Sequence, residues 1–408
     1  MKIAIVGGGL SGLTLGYYLS KNHHIVVFEK KNKLGGLAAG FEQNNWSWAL
    51  DDYYHHFFSS DKELKELLIE LAIDYFFASP KSANWQKNKA IKFDSPLDLL
   101  SYPYLTWWGK IRLAVGLAYL KIIPSQKWLP NQSADEFLPR LMGREGYRGI
   151  WQPLLQGKFG YKAKQISSIW FWSRIKKRTS RLGYIKGGFQ RLSTVLADKI
   201  KENGGKIKLN NTVESVNQLK DFDRIIATMA TTNFLKIIPT RFQSYYQKRL
   251  PIEYWGTINL ILTTVKPFLS DNIYWLNINE PSFPFVTVVE QTNFVNKKYY
   301  GDDHVIYLGG YYSPNHRYFN CSKDEILAEF WPYLKKINPS FKKSFIKRSF
   351  LNHSFFAQPL VFEDYARRIP PFKTPVKNVY LLNMEQTYPW DRGVDNAIRL
   401  AKNLERLL

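Results

Sequence analysis

A glycine-rich turn near the amino terminus restricts the possible folds of this chain more than any other feature. The stretch IAIVGGGLSGLTLGYYLS (3–20) begins as an apolar strand, turns at three consecutive glycines and continues as a helix. Gly7, Gly9 and Gly12 have the spacing G-x-G-x-x-G, which allows a tight strand-to-helix turn and a close approach of a phosphate to the backbone. Because the amino end of a helix favours negative charge, the stretch predicts a βαβ unit that binds a dinucleotide.

An acidic residue stands where the second strand of this unit is expected to end. HIVVFEK (24–30) is the second apolar run, and Glu29 follows Gly9 by 20 residues. A carboxylate there accepts hydrogen bonds from ribose hydroxyls and repels a 2′-phosphate. We therefore predict a dinucleotide without a 2′-phosphate. The residues predicted to hold it in this part of the chain are Gly7, Gly9, Leu10, Ser11, Gly12, Glu29 and Lys30.

A pair of adjacent glycines, Gly35 and Gly36, follows in KKNKLGGLAAGF (30–41). With this pair the chain resembles the flavin amine oxidase superfamily, which includes protoporphyrinogen oxidases, phytoene desaturases and monoamine oxidases. The resemblance implies that the segment contacts an extended FAD. Lys33 and Leu37 stand where that family usually has arginines. Lys33 can supply charge to a phosphate, but only as a point charge without a bidentate fork, and Leu37 supplies none.

Two later segments carry the same resemblance. GYIKGGFQRLSTVLADKIKENGGKIKLNNTVESV (183–216) is similar to the central segment of that family, which implies that the Val213 backbone holds the adenine end of FAD. NMEQTYPWDRGVDNAIRLAKNL (383–404) is similar to the closing motif, whose helix points its amino end at the flavin. The resemblance implies that Gly393 and Val394 stabilise negative charge on the reduced ring. It also implies that Asp391 and Arg392 lie beside the ribityl chain or a phosphate.

The α/β patterns occur in three separate parts of the chain, with a helical insert and a β-rich insert between them. Residues 61–77 and 133–150 are predicted to be helices, and 254–311 to be mostly strands separated by Pro, Asn and Asp. We therefore expect an α/β fold in which a mixed helical and antiparallel β substrate domain interrupts a Rossmann-type FAD-binding domain. The predicted bounds are 1–78, 183–240 and 370–408 for the FAD-binding domain, and 79–182 and 241–369 for the substrate domain.

The composition excludes several other classes of protein. The single cysteine, Cys321, rules out an intrachain disulfide and a thiolate metal cluster, and the histidines lack metal-binding spacing. We therefore expect no metal, and FAD bound non-covalently. The net charge of +23 attracts phosphates or an anionic membrane face, whereas no RNA- or DNA-binding motif accompanies it, so we expect no nucleic-acid partner. No secretory signal is visible, and we expect a cytoplasmic protein.

The candidate catalytic residues lie in DDYYHHFF (51–58). The resemblance implies that this stretch passes under the flavin ring. Histidine can titrate near neutral pH, so His55 and His56 are predicted to position or deprotonate the substrate, with Tyr54 in support. The alternative is that both histidines are hydrogen-bonded structural residues.

The closing motif also bears on the substrate. By the resemblance, Gly393 stands where amine oxidases carry an aromatic cage residue, which argues for a larger apolar substrate such as an isoprenoid- or porphyrin-like compound. The expected reaction is oxidation or desaturation by hydride transfer to flavin N5. A non-redox sugar-nucleotide mutase, similar to UDP-galactopyranose mutase, is the alternative. The basic run Arg174, Lys176, Lys177, Arg178 and Arg181 could then hold a phosphate, or it could be a solvated helix face.

The aromatic segment DSPLDLLSYPYLTWWGKIRLAVGLAYLKIIP (94–124) allows a further alternative. Its apolar run is too short to span a bilayer. We expect it to pack in the core or in a lid. The alternative is peripheral contact with an anionic membrane, at the inner face, in which the stems of Lys110, Arg112 and Lys121 extend to the lipid surface. The protein would then be a membrane-surface or partner-binding flavoprotein with little turnover.

Overall fold

A computed structural model of the chain describes residues 1–247 and 252–408. The strands, in chain order, are β1 (Lys2–Val6), β2 (His24–Phe28), β3 (Gly40–Phe41), β4 (Leu50–Asp51), β5 (Phe57–Phe58), β6 (Tyr75–Ala78), β7 (Lys81–Gln86), β8 (Lys89–Lys92), β9 (Leu182–Ile185), β10 (Lys206–Lys208), β11 (Arg224–Ala227), β12 (Tyr254–Thr264), β13 (Ile273–Ile278), β14 (Thr287–Glu290), β15 (His304–Tyr312), β16 (Ile346–Pro359) and β17 (Val379–Leu381). The helices are α1 (Leu10–Ser20), α2 (Lys62–Glu70), α3 (Pro96–Leu100), α4 (Trp107–Ile122), α5 (Ala134–Met142), α6 (Arg144–Gly146), α7 (Gln152–Phe159), α8 (Ser168–Lys177), α9 (Phe189–Glu202), α10 (Thr231–Ile237), α11 (Ser244–Gln247), α12 (Lys323–Ile337), α13 (Tyr365–Arg368) and α14 (Val394–Glu405).

The nucleotide-binding part is a five-stranded parallel sheet with the strand order β10-β2-β1-β11-β17. Its strands come from three distant parts of the sequence, and the inner strands β2, β1 and β11 are short, mostly apolar runs because both faces of the sheet are covered there. On one face, Leu13, Ile200 and Ile398 from α1, α9 and α14 share a core with Ile5. The predicted α/β fold of Rossmann type is therefore confirmed, whereas the predicted domain bounds stay a prediction.

The second part is built on a seven-stranded sheet with the order β16-β12-β15-β14-β13-β7-β8. Its pairs are antiparallel, except that β13 and β7 run parallel. Leu260 and Leu308 on one face of the sheet pack with Ile326 and Phe330 of α12. The strands predicted within 254–311 are present as β12, β14 and β15, together with β13.

Helices α3 to α8 form a separate apolar cluster that includes Leu113, Leu138 and Trp172. The helix predicted over 133–150 is interrupted: α5 ends at Met142, Gly143 adopts a φ of +84° that a helix does not allow, and residues 144–151 are helical again. The helix predicted over 61–77 is too long. It ends at Glu70, since Ala72 has a φ of +51° and β6 pairs with β9.

The aromatic segment 94–124 is buried on one side only. Leu113 and Leu120 of α4 lie fully in the core. The opposite side of the same helix carries exposed apolar residues, among them Trp108 and Val115, so the expectation of core or lid packing holds for one face only. Within the described part of the chain, no helix is both long enough and apolar enough to cross a membrane.

Candidate flavin-binding and active site

The glycine-rich turn joins β1 to the amino end of α1. Gly9 is the N-cap of α1, and no side chain caps this helix end. A Cβ on Gly9 would have Gly36 Cα as its nearest neighbour, at 3.9 Å. The free N–H groups of this helix end are therefore open to an anion. Leu10 is buried and Ser11 is half-buried, so Leu10 presents only its backbone to a ligand at this end.

The paired glycines pack directly against this turn. The Gly35 N–H donates to the Gly8 carbonyl at 2.8 Å, and a Cβ on Gly36 would lie 3.1 Å from Gly9 Cα. The pair thus lets the segment after β2 approach the turn at backbone distance. Leu37 follows in a half-buried position.

The acidic residue at the end of the second strand, Glu29, lies beside the same turn. Its carboxylate accepts hydrogen bonds from the Gly8 N–H at 2.7 Å and from the Lys31 N–H at 2.9 Å. A carboxylate has about four acceptor positions, so it can still accept ribose hydroxyls. Lys30 is exposed next to it. Lys33 forms an ion pair with Asp52, and its predicted contact with a phosphate would have to compete with that pair.

Val213, predicted to hold the adenine end, lies in the loop after β10, and its side chain is in the core beside Val26 and Phe28. Asn211 N–H in the same loop donates to the Glu29 carbonyl at 2.9 Å, which holds the loop next to the acidic residue. Among residues 1–247 and 252–408, no hydrogen bond involves the Val213 backbone. Its N–H and C=O groups are thus available to a ligand.

A second uncapped helix end occurs at α14. Gly393 is its N-cap, without a side-chain cap, and a Cβ placed on Gly393 would have no atom within 4 Å. Val394 begins the helix. In its first turn, Asn396 donates from Nδ2 to the Asp391 carbonyl at 2.7 Å, while its buried Oδ1 has no partner in the described structure. This helix end therefore offers free N–H groups and open space.

The loop before α14 is tied to the substrate part by Asp391. One carboxylate oxygen accepts from Trp170 Nε1 at 3.0 Å and from Gln358 Nε2 at 3.2 Å, and the other pairs with Arg174. Burial would raise the pKa of Asp391, but Lys158, Arg174 and Arg392 hold it well below its usual value. Both carboxylate oxygens of Asp391 therefore already have partners, which come from α8 and β16.

Arg392 also contacts the substrate part. Its Nε donates to Gln358 Oε1 at 3.0 Å, and its Nη2 donates to the Tyr311 hydroxyl. Burial, with Tyr311 next to it, raises the pKa of Tyr54 well above its ordinary value. The ring of Tyr54 packs edge-on against Trp275 at 5.0 Å. Tyr54 therefore stays a neutral phenol beside Arg392.

Lys158 of α7 completes this group, which we call the Asp391 cluster: Lys158, Trp170, Arg174, Tyr311, Gln358, Asp391 and Arg392. The Lys158 ammonium lies 5.0 Å from the ring centre of Trp170 and 4.9 Å from that of Tyr311. Over the described residues it makes no hydrogen bond or ion pair. Burial, reinforced by Arg174 and Arg392 and opposed by Asp391, lowers the pKa of Lys158 well below its ordinary value. The cluster holds three basic groups against one carboxylate.

His55 packs against Phe189 of α9, and His56 packs against Tyr274 and Trp275 of β13. Nδ1 of His55 is 2.6 Å from the Tyr53 carbonyl oxygen, and Nδ1 of His56 is 3.2 Å from the Tyr274 hydroxyl. Burial lowers the pKa of His55 to about 4 and that of His56 to about 3. Both rings are therefore neutral near pH 7, and the deprotonation of a substrate by either of them stays a prediction. The positioning of a substrate by these residues stays a prediction.

The two open helix ends, the free Val213 backbone and Glu29 together fit an extended dinucleotide. The sequence profile of the family described as flavin containing amine oxidoreductase matches residues 10–403. The chain belongs to this family. A flavin is the cofactor that membership of this family implies.

The curated proteins that this flavin-containing amine oxidoreductase resembles match it over only part of its length. It is 26% identical to protoporphyrinogen oxidase 1 of Arabidopsis thaliana over 45% of this chain and 35% of that protein. It is 24% identical to 15-cis-phytoene desaturase of the same plant over 57% of this chain and 45% of that protein. The chain thus spans less than half the length of either relative.

Solved structures show the same fold over the whole chain. An oxidoreductase from Methanosarcina mazei superposes with a TM-score of 0.78 at 16% identity, covering 100% of both chains. A reduced UDP-galactopyranose mutase superposes with a TM-score of 0.75 at 14% identity, covering 100% of this chain and 93% of that one. At these identities the likeness concerns the fold alone.

The sequence analysis missed most of the Asp391 cluster. Lys158, Trp170, Tyr311 and Gln358 come from α7, α8, β15 and β16, and only the packing of the substrate part brings them together. The isolated lysine of WQPLLQGKFG (151–160), set among apolar residues, was the one local signal. The basic run after SSIWFW is not simply a solvated helix face, because Arg174 pairs with Asp391 and Lys177 lies 3.6 Å from Asp395.

Proposed function

We propose that this protein is an FAD-dependent oxidoreductase that oxidises or desaturates a substrate with an apolar body and an anionic group. The observation that carries the proposal is the position of the Asp391 cluster, directly before the open amino end of α14. A bound flavin supplies the two-electron chemistry by accepting a hydride. The chain then has to bind and orient the substrate, exclude water and accept a proton.

Binding of the cofactor is assigned to the two open helix ends. We propose that α1 faces the diphosphate of FAD, that Glu29 accepts its ribose hydroxyls, and that Val213 contacts its adenine end. The N–H groups at Gly393 and Val394 would stabilise negative charge on the reduced ring. Binding is non-covalent in this proposal. Cys321 lies beside Arg317, near the start of α12. It is therefore not at the amino end of α1 or of α14, where the cofactor is proposed to bind. Release of FAD on acid precipitation tests this point.

Substrate binding is assigned to the Asp391 cluster and to a neighbouring cavity. A cavity of about 230 Å³ is lined by Tyr311 and Gly157, next to Lys158, and by Phe283 and Phe285. Glu280 and His316 also line it, and its aromatic rings would contact an apolar body. Arg174 and Arg392 remain charged at all ordinary pH values, so an anionic group would bind beside them. A porphyrin-like compound with carboxylates would use both features, and an isoprenoid would use the aromatic walls.

Loss of a hydride equivalent leaves a proton to be removed from the substrate. Lys158 Nζ is the group of the cluster best suited to accept it, because burial lowers the pKa of this amine well below its ordinary value. We therefore assign the proton to Lys158 Nζ. Tyr54 and His55 stay neutral and position the substrate. Their aromatic faces exclude water.

The visible spectrum of the purified protein is the first test. We expect bound FAD, and anaerobic bleaching by a porphyrinogen or an isoprenoid with formation of the more unsaturated product. A protein that stays colourless after incubation with FAD would overturn the proposal. A protein that is yellow but is bleached only by small amines would overturn the substrate class alone. The predicted cytoplasmic location is part of the proposal, and cell fractionation tests it.

A second function is favoured by the same cations. A sugar-nucleotide mutase also needs cations at a diphosphate, and Arg174 and Arg392 of the Asp391 cluster could supply them. Such an enzyme would turn over only after chemical reduction of the flavin and would show no net electron transfer. Turnover of UDP-galactopyranose by the reduced protein, with no bleaching of the oxidised protein by any of the apolar compounds, would favour this function over the first.

A further inference from the structure

An unusually apolar surface covers the outer side of the helical cluster. We call it the tryptophan surface. Trp107, Trp108 and Trp128 are 66%, 80% and 71% exposed. Its members are Leu97, Leu100, Trp107, Trp108, Ile111, Val115, Tyr119, Ile122 and Trp128. Single exposed apolar residues need no explanation, whereas a contiguous group of this size marks an interaction site.

The tryptophan surface is a regular face of a well-anchored helix. Trp107, Ile111, Val115 and Tyr119 are spaced by four residues along α4 and so lie on one side of it. On the other side, Leu113 and Leu120 are fully buried. The exposed face is therefore held in a fixed orientation by packing. At 16 residues α4 measures about 24 Å, which is less than a bilayer requires.

The stretch of sequence that forms this surface is basic, and one carboxylate from outside that stretch lies beside it, because Glu145 accepts from the Thr106 hydroxyl at the start of α4. Between residues 97 and 128 the sequence has four basic residues, Lys110, Arg112, Lys121 and Lys127, and one acidic residue, Asp98, so the net charge is +3 (four minus one). Within the described part of the chain, none of these four basic side chains forms an ion pair with a carboxylate. Lys110 donates to the Leu100 carbonyl at 2.6 Å, and Lys121 to the Arg178 carbonyl at 2.7 Å.

We propose that the tryptophan surface docks on the face of an anionic lipid bilayer, with α4 parallel to the membrane plane. Exposed tryptophans partition into the headgroup region, where an apolar ring body and a polar N–H are both accommodated. Apolar burial and attraction of basic residues to anionic lipid act together in such contacts. The proposal does not depend on the flavin chemistry.

A second copy of the chain suits this surface less well. A symmetric contact would bring the same surface of two copies together. The basic residues of one copy would then face those of the other across an apolar, poorly screened interface. An anionic lipid face presents the opposite charge to the same residues.

Vesicle flotation of the flavin-loaded protein tests the proposal. We expect flotation with vesicles of phosphatidylcholine and phosphatidylglycerol, and at least tenfold less with phosphatidylcholine alone. Changing Trp107, Trp108 and Trp128 together to alanine should abolish it. Lys110→Gln and Lys127→Gln should each weaken binding about fivefold at low salt, since a basic residue near an anionic surface contributes about 1 kcal/mol.

Matched controls come from exposed residues elsewhere. Ile69→Ser, Tyr161→Ser and Leu407→Ser change residues that are 68%, 74% and 60% exposed outside the tryptophan surface. Lys206→Gln and Lys220→Gln remove exposed charges from the nucleotide-binding part. These five variants should float like the unchanged protein. Flavin content and circular dichroism verify that all variants are folded.

Three results would overturn the proposal. One is no flotation of the unchanged protein with anionic vesicles. Another is equal flotation with both kinds of vesicle, because the proposal requires anionic lipid. The third is a dimer in light scattering that becomes a monomer when the three tryptophans are replaced, since a second copy would then cover the surface.

Discussion

Arg174 and Asp391 are 217 residues apart in the sequence, and their side chains form an ion pair with an N–O distance of 2.5 Å. This pair joins α8 of the substrate part to the loop that leads into α14. The same carboxylate accepts hydrogen bonds from Trp170 and Gln358. Asp391 therefore holds together the two parts of the molecule at the site where the flavin ring and the substrate are proposed to meet.

Asp391→Asn should weaken this connection. The neighbouring cations lose their counter-charge, and we expect the free energy of unfolding at pH 7 to fall by roughly 2 kcal/mol, the typical contribution of a hydrogen bond to a charged group. The folded pKa of Asp391 is depressed below its ordinary 3.8. Its stabilisation is therefore present above about pH 4 and is lost as the pH falls, so the two proteins should converge in acid.

Urea unfolding at pH 7 and at pH 2.5, well below the unfolded pKa of 3.8, measures this difference. Asp198→Asn is the matched control, because it breaks an exposed pair with Lys201 and should change stability by less than about 0.5 kcal/mol. Equal stability of Asp391→Asn and the unchanged protein at pH 7 would contradict the assigned role.

Gly9→Val should separate cofactor binding from folding. A Cβ at position 9 would have Gly36 Cα as its nearest neighbour, at 3.9 Å, so we expect a folded protein with much less bound FAD. In Gly12→Ala, by contrast, Cβ would lie 2.2 Å from the Gly7 carbonyl oxygen, and the fold itself should suffer. Flavin absorbance per chain and thermal unfolding distinguish the two variants. A yellow Gly9→Val protein with undiminished FAD would argue against a diphosphate at α1.

The contrast between Gly9 and Lys158 illustrates how much of the site could be predicted. The glycine turn, Glu29 and the start of α14 depend on local spacing, which the sequence displays directly. The side chain of Lys158 is surrounded by Trp170 and Tyr311. Both residues lie outside its local stretch of sequence, so no local sequence pattern indicates these contacts. The substrate side of the site therefore required the structure, although its strands could be predicted from their apolar runs.

Burial explains the other differences. His55 and His56 were expected to titrate because histidine ordinarily does so near neutral pH, but their pKa values depend on packing that the sequence does not display. The face of α4 presents the opposite case. The spacing of the apolar residues of α4 predicts that the helix is buried, and one side of it is buried. Trp108 on the other side is exposed in the described structure.

Lys158 should determine the pH dependence of substrate oxidation. Because its pKa is lowered by burial, we expect kcat/KM to rise with pH through an ionisation below the ordinary lysine value of 10.5 as the amine loses its proton. Lys158→Met should remove this ionisation and lower kcat by about 10²–10⁴, the usual effect of losing a general base. Lys158→Arg should keep the charge, remain slow and show no ionisation. Persistence of the ionisation in both variants would contradict the assignment.

His55 and His56 should affect stability in acid rather than activity near neutral pH. Their folded pKa values of about 4 and about 3 lie below the ordinary 6.5. As the pH falls below 6.5, the unfolded chain binds protons that the folded chain does not, so stability declines. His55→Gln and His56→Gln should reduce this decline between pH 6.5 and pH 4.5 in urea unfolding. The exposed His24→Gln is the control and should leave the slope unchanged.

Asp51 should have the opposite effect on stability with pH. Burial raises its pKa to about 8, although hydrogen bonds from Tyr184 at 2.8 Å and from the Phe189 N–H at 2.9 Å oppose the shift. The unfolded chain ionises near pH 4, whereas the folded chain keeps the proton until about pH 8. Asp51 therefore lowers stability progressively as the pH rises through this window, by at most about 1.4 kcal/mol per pH unit.

Asp51→Asn should remove this loss, because an amide can still accept from Phe189 and donate to Tyr184. The free energy of unfolding of the variant relative to the unchanged protein should therefore increase from pH 5 to pH 7, as measured by urea titration at each pH. Asp74→Asn, at an exposed ion pair with Lys186, should show no such trend. A difference that stays constant over this range would mean that Asp51 is already ionised at pH 5, and that Tyr184 and Phe189 outweigh its burial.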